Sequence, residues 1–202
     1  MLTLCIDVDG VLANFTDSYA AALSRRTGIV FPKASSEWPT SWYWDRDAGV
    51  SKEDEEETWY KDIIQSKTFW QRLDPVPNAK PALKQLNQMA QRGDQVYFIT
   101  NRMGVNVKLQ TERWLYSHGI NYPSVIVTAD KAPFMKILKA NFFIDDRPET
   151  LIEIGNLAEK EAWPNFNLFL FDMPYNRKQN YPNNVQRAGT VLEAIAQAYG
   201  RS

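Results

Sequence analysis

Short apolar runs recur along the chain at Leu2-Thr3-Leu4-Cys5-Ile6, Gln95-Val96-Tyr97-Phe98-Ile99, Ser124-Val125-Ile126-Val127, Asn141-Phe142-Phe143-Ile144 and Asn167-Leu168-Phe169-Leu170-Phe171. Each is nearly continuous in hydrophobicity instead of alternating, which is the pattern of a strand buried on both faces. Between them the apolar spacing changes to that of helices, over 79–92, 105–118, 133–138, 149–160 and 191–199. Strands that alternate with helices of this length predict an α/β fold: a doubly wound, Rossmann-like parallel sheet with helices on both faces.

One connection breaks the rhythm. Between the first strand and the helix at Ala79 lie about sixty residues without a convincing strand, far more than an ordinary crossover needs. The pattern therefore predicts a core of residues 1–13 and 74–202, with a small helical cap, 14–73, inserted after the first strand. Within the insert, 16–26 and 52–65 have helical patterning, and the acidic run Glu53-Asp54-Glu55-Glu56-Glu57 suits a helix N-terminus and a solvated face. The insert also holds five of the chain's seven tryptophans: Trp38, Trp42, Trp44, Trp59 and Trp70. Some of these serve the insert's own core, but Ser41-Trp42-Tyr43-Trp44-Asp45 lacks amphipathic helical spacing, so it is a candidate lining for a ligand pocket. The Asn-, Pro- and Tyr-rich stretch 174–184 reads as a long loop.

Composition narrows the chemistry. The chain has 202 residues, 44% hydrophobic and 23% charged, with a formal net charge of −1, so no global basic field would draw it to polymeric nucleic acid. No apolar run approaches the roughly 20 residues of a membrane span, and the start of the chain turns acidic too soon for a signal peptide, so a cytoplasmic protein is expected. The lone cysteine, Cys5, sits in an apolar run and reads as core. The lone histidine, His118, stands before Gly119 at an expected helix C-terminus, which argues against histidine-based zinc sites and serine–histidine triads.

In an open parallel sheet, ligands sit beyond the carboxyl ends of the strands. There the sequence places Asp7-Val8-Asp9-Gly10 after the first strand, Thr100-Asn101-Arg102 after the second, Lys131 after the third and Asp145-Asp146-Arg147 after the fourth. Singly, each of these would be an ordinary turn, cap or surface charge. Together they bring acids, a hydroxyl and an ammonium to one edge of the sheet. Clustered carboxylates raise one another's pKa and favour a bound cation. A set of oxygen donors without histidine or thiolate points to a hard ion, Mg²⁺ where a phosphate shares the site. Lys131, Thr100 and the backbone N–H of Asn101 could hold the phosphate oxygens.

At these residues the sequence resembles the haloacid dehalogenase superfamily of phosphatases, which has four such motifs in this order: Asp7-Val-Asp-Gly-Val-Leu, Ile99-Thr100-Asn101, Lys131, and Phe143-Ile-Asp145-Asp146. The resemblance implies that Asp7 attacks phosphorus to form an aspartyl-phosphate, and that Asp9 protonates the leaving oxygen and later activates water. It also implies Mg²⁺ held by the Asp7 carboxylate, the Asp9 backbone carbonyl and Asp145, with Asp146 as an accessory or orienting group. A narrower resemblance, to the 5′(3′)-deoxyribonucleotidase family, rests on 7–15, 69–79 and 127–131. It implies a nucleoside monophosphate as substrate, its base held by cap aromatics, here Phe15, Tyr43 and Trp44. Two positions depart from that family's pattern: Ala129 stands where a basic residue is expected, and Asn14 where an acid is expected. The other readings are a phosphatase for a different small metabolite, a phosphomutase, and a non-catalytic nucleotide-binding protein. Whether the chain forms a homodimer is left open.

Overall fold

The computed structural model describes residues 1–35 and 37–200. Ser36 of the expected cap and the last two residues of the expected core thus lie outside the described residues. The six-stranded sheet is parallel throughout, in the order β3-β2-β1-β4-β5-β6, with β1 at Thr3–Ile6, β2 at Gln95–Thr100, β3 at Ser124–Val127, β4 at Phe142–Asp145, β5 at Asn167–Phe171 and β6 at Val185–Ala188. The first five are the runs read from the sequence. The edge strand β6, Val185-Gln-Arg-Ala, is an addition: its two polar central residues gave no apolar run.

Burial on both faces explains the continuous hydrophobicity of the central strands. Leu4, Ile6, Phe98, Phe142 and Ile144 pack on one face against Leu83 and Leu86 of α4 (Ala79–Gln91), Trp114 of α5 (Val107–Ser117) and Ile195 of the last helix (Val191–Tyr199). Cys5, Ile99 and Phe143 point the other way, onto Met135 of the helix Ala132–Ile137 and Leu151 and Ile154 of the helix Pro148–Lys160. A sheet covered on both faces by its own crossovers is doubly wound.

The long connection after β1 is helical. It contains α1 (Phe15–Thr27), α2 (Trp44–Asp47) and α3 (Lys52–Glu57), which continues at π pitch over Thr58–Ile64. Asn14 caps α1, accepting from the Asp17 N–H, and Ser51 caps α3, accepting from the Asp54 N–H. The segments leaving and re-entering the core lie side by side: Asn14 N–H donates to Asp74 O at 2.7 Å and Val76 N–H to Leu12 O at 2.9 Å. Trp114 of α5 anchors the returning segment from below, its indole N–H donating to Leu73 O at 2.7 Å.

The strand order also fixes where a ligand can enter. From β1 the chain winds outward through β2 and β3, then crosses back to lay β4 on the other side of β1. The loops after β1 and β4 therefore diverge, and a crevice opens between them at the carboxyl ends of the strands.

Candidate active site

Parallel pairing sets Ile6 opposite Ile144, and the Asp7 N–H donates to Ile144 O at 3.0 Å, so Asp7 emerges beside Asp145 at that crevice. Asp7, Asp145 and Asp146 are all buried, and each offers a carboxylate oxygen within 4.8 Å of the others. Lys131 stands at the N-terminus of the β3-to-β4 crossover helix, α6 (Ala132–Ile137), and reaches into the group. Its Nζ donates to Asp7 Oδ1 at 2.6 Å and to Asp145 Oδ2 at 2.7 Å. The Asp146 carboxylate accepts from the Tyr175 hydroxyl, and Asn176 Nδ2 donates to the Asp146 carbonyl at 2.8 Å.

Burial dominates the electrostatics. It pushes the Asp7 carboxyl above its ordinary value, the negative charges of Asp145 and Asp9 add to the rise, and Lys131 opposes it. Asp146 is raised for the same leading reason, with Asp145 and Asp7 adding and the Tyr175 hydrogen bond and Lys131 opposing. Among the described residues only the Lys131 ammonium pairs with these three carboxylates, so ionising all of them leaves two negative charges to be balanced. A divalent cation matches that excess, and donors that are all oxygen match a hard ion such as Mg²⁺.

Asp9 is not part of this group; the turn at Gly10 carries it away. Gly10 has φ +81°, and a Cβ there would stand 2.3 Å from Asp146 Oδ2, so only glycine fits between the two acid-bearing loops. The Asp9 carboxylate instead meets Arg102, whose Nε donates to Oδ2 at 2.9 Å and Nη2 to Oδ1 at 2.8 Å. The fully buried Thr100 donates to Oδ2 at 3.3 Å.

Above these groups lies a cavity of about 370 Å³, walled on one side by the carboxylates and Lys131 and on the other by aromatic residues of the helical insertion. The Phe15 ring is central to that wall, stacked on Tyr19 at 5.4 Å, on Trp59 at 5.7 Å and on Trp70 at 5.7 Å between centroids. Trp44 packs edge-on against Tyr19, Phe31 and Trp38. Exposed Tyr43 lies beside it, under the Arg46 guanidinium, which Glu55 holds through two hydrogen bonds of 2.8 Å. All ten residues singled out from the sequence line this cavity except Asp145, which lies fully buried beneath it.

The sequence assigned no role to Tyr175, Arg147, Trp59 or Trp70, which complete the walls, nor to Arg102, which lies buried behind Asp9. Arg102 left part of a signal, since a buried arginine just beyond a strand end needs an acid partner, but which acid it meets depends on strand order and register. Tyr175 left none, because it arrives from a loop. Across the mouth the Arg147 guanidinium covers the Trp42 ring at 5.1 Å, and Trp42 meets Tyr175 edge-on at 5.2 Å, joining the insertion to the core.

A doubly wound sheet with this acid group at its switch point and a helical insertion after β1 defines a hydrolase of the haloacid dehalogenase type. Solved structures share the fold: a Bacillus subtilis protein assigned as a hydrolase of that type and solved bound to magnesium matches over 99% of both chains, with a TM-score of 0.56 at 14% identity. A hydrolase from Pseudomonas syringae matches over 100% of both chains, with a TM-score of 0.53 at 10% identity. The chain belongs to the family described as 5′ nucleotidase, deoxy (Pyrimidine), cytosolic type C protein, whose model matches residues 1–197. Among its distant relatives, a Chlorobaculum tepidum protein assigned as a 5′(3′)-deoxyribonucleotidase is 23% identical over 159 residues, 76% of this chain and 73% of that one. The mitochondrial 5′(3′)-deoxyribonucleotidase of Mus musculus is 25% identical over 183 residues, 87% of this chain and 74% of that one. Among the described residues, no helix is long and apolar enough to cross a membrane.

Proposed function

We propose that the protein is a 5′-nucleotidase that removes phosphate from (deoxy)nucleoside monophosphates through an aspartyl-phosphate on Asp7. The observation that carries this reading is one cavity with two unlike walls, charged groups suited to a phosphate on one and stacked aromatic rings suited to a nucleobase on the other. An aromatic face binds any base, at about 1–3 kcal/mol per stacked base.

In this reading an Asp7 oxygen attacks phosphorus as the ester P–O bond breaks, and Asp9 gives its proton to the departing 5′-oxygen. Asp9, now a carboxylate, takes a proton from the water that attacks the aspartyl-phosphate, so inorganic phosphate leaves and Asp7 is regenerated. Lys131 and the Asn101 N–H hold the phosphoryl oxygens, the Thr100 hydroxyl stays on Asp9 Oδ2, and Phe15, Tyr43 and Trp44 hold the base. The Asp7 and Asp145 carboxylates and the Asp9 carbonyl would hold Mg²⁺, with Asp146 orienting or joining them. When bound, the ion supplies positive charge to the transferring phosphoryl group. Tyr175 keeps Asp146 turned toward its neighbours.

The test is phosphate release from a panel of 5′-nucleoside and 5′-deoxynucleoside monophosphates and of sugar phosphates, in Mg²⁺ and in EDTA. Turnover of nucleotides that stops in EDTA is expected. Good turnover of a sugar phosphate with none of any nucleotide would refute the nucleotide reading.

A further inference from the structure

Two cations, Lys131 and Arg102, divide the acids at the strand ends between them. Lys131 draws Asp7 and Asp145 together, with Asp146 alongside, whereas Arg102 draws Asp9 out of that group through both of its carboxylate oxygens. The Arg102 side chain is fully buried and held on several sides. Its Nη1 donates to Thr111 Oγ1 at 3.0 Å, and that hydroxyl donates on to Val107 O at 2.9 Å. The Trp70 ring lies 5.0 Å from the guanidinium carbon. Trp70 is fixed in turn, its indole N–H donating to Met103 O and its backbone N–H to Gln110 Oε1, both at 3.0 Å. A planar fork locked in this way fixes the plane of the carboxylate it grips, which a single ammonium would not do.

The hydrogen bonds also distinguish the two oxygens of Asp9. Oδ2 accepts from Arg102 Nε and from Thr100 Oγ1, which fills both of its lone pairs. Oδ1 accepts from Arg102 Nη2 and from no other donor among the described residues, so it keeps one lone pair for a proton.

We propose that Arg102 is a positioning residue for proton transfer: it holds the Asp9 carboxylate apart from the Asp7, Asp145 and Asp146 group and leaves Oδ1 as the oxygen that carries the proton. This rests on the reading of Asp9 as the acid and base of a phosphatase. Oδ1 gives its proton to the ester oxygen as the P–O bond breaks, then takes one from the attacking water. Trp70 comes from the segment that returns from the helical insertion, so the clamp also ties that segment to the proton donor.

The test uses two leaving groups that differ in their need for a proton. A 5′-nucleotide expels an alkoxide that must be protonated, whereas p-nitrophenyl phosphate expels a stable phenolate. In Arg102→Ala, kcat/KM for the nucleotide is expected to fall about 10²-fold, the lower end of the contribution of a positioned acid, while that for p-nitrophenyl phosphate changes by less than roughly threefold. Arg102→Lys should show the same selectivity, since it restores charge but not the fork. In an Asp9→Asn background, Arg102→Ala should cost nothing further on either ester. Retained hydrolysis of p-nitrophenyl phosphate reports that the variants are folded. Equal losses on both esters, or a further loss in the Asp9→Asn background, would overturn the inference and leave the phosphatase reading standing. A wild-type protein that hydrolyses neither ester would overturn both.

Discussion

Gly10 shows how closely single residues constrain the site. A Cβ there would collide with the Asp146 carboxylate, and φ of +81° is costly for any side chain. Gly10→Ala should therefore lower the unfolding free energy in a urea titration by at least about 1 kcal/mol and weaken Mg²⁺ binding; unchanged stability would contradict the placement of Asp146. Cys5 makes the opposite case, a reactive group made inert. Burial pushes its thiol from 9.0 up to about 12, so a thiol reagent should leave the native protein untouched at pH 8 and label it fully in denaturant. The sign follows: the protonated thiol is favoured by folding, so its contribution to stability is intact below pH 9.0 and is lost as pH rises toward about 12. The sequence showed Asp7, Asp9, Thr100, Lys131, Asp145 and Asp146 because strand ends in a parallel sheet are where ligands sit. It did not show that Arg102 would grip Asp9, because a side-chain pairing across 93 positions depends on the register of β1 with β2.

Strands were legible in proportion to the continuity of their apolar runs. The four inner strands and the edge strand β3, whose Val125-Ile126-Val127 run is apolar although only Val125 is buried, announce themselves, whereas β6, at the opposite edge with exposed Gln186 and half-buried Arg187, does not. Two of the insertion's helices were visible, from the patterning of 16–26 and from the acidic run at the start of 52–65, whereas the short α2 was not. The insertion's aromatic packing was not visible either, since rings at Phe15, Trp59 and Trp70 meet only once the chain has folded back on itself. Within the insertion, Phe15 and Trp44 serve both the cavity and the packing between helices, but Tyr43, with 56% of its surface exposed, serves the cavity without supporting the packing. Tyr43→Ala should accordingly raise KM for nucleotides roughly 5- to 150-fold, the worth of one lost stacking surface, with no change in melting temperature. An unchanged KM would move the base elsewhere in the cavity. Gly104 marks where this element meets the core: with φ +122° its Cβ would stand 2.4 Å from Ile64 O, and the neighbouring Val105 N–H donates to that same oxygen at 3.0 Å.

For the molecule as a whole, the sheet supplies the acid group and the insertion supplies the aromatic wall, and the two meet through Arg147, Trp42 and Tyr175. Tyr175 also holds Asp146, so the contact across the cavity mouth is one residue removed from the acids. The family model spans both parts, residues 1–197. All of the proposed chemistry depends on Asp7 becoming phosphorylated. The most direct measurement mixes the enzyme with a 5′-nucleotide carrying labelled phosphorus, quenches in acid within a turnover and maps the label by peptide. The account predicts a hydroxylamine-labile label on the peptide bearing Asp7, absent in Asp7→Asn together with turnover. Rapid turnover with no label on that peptide, or turnover that survives Asp7→Asn, would contradict it.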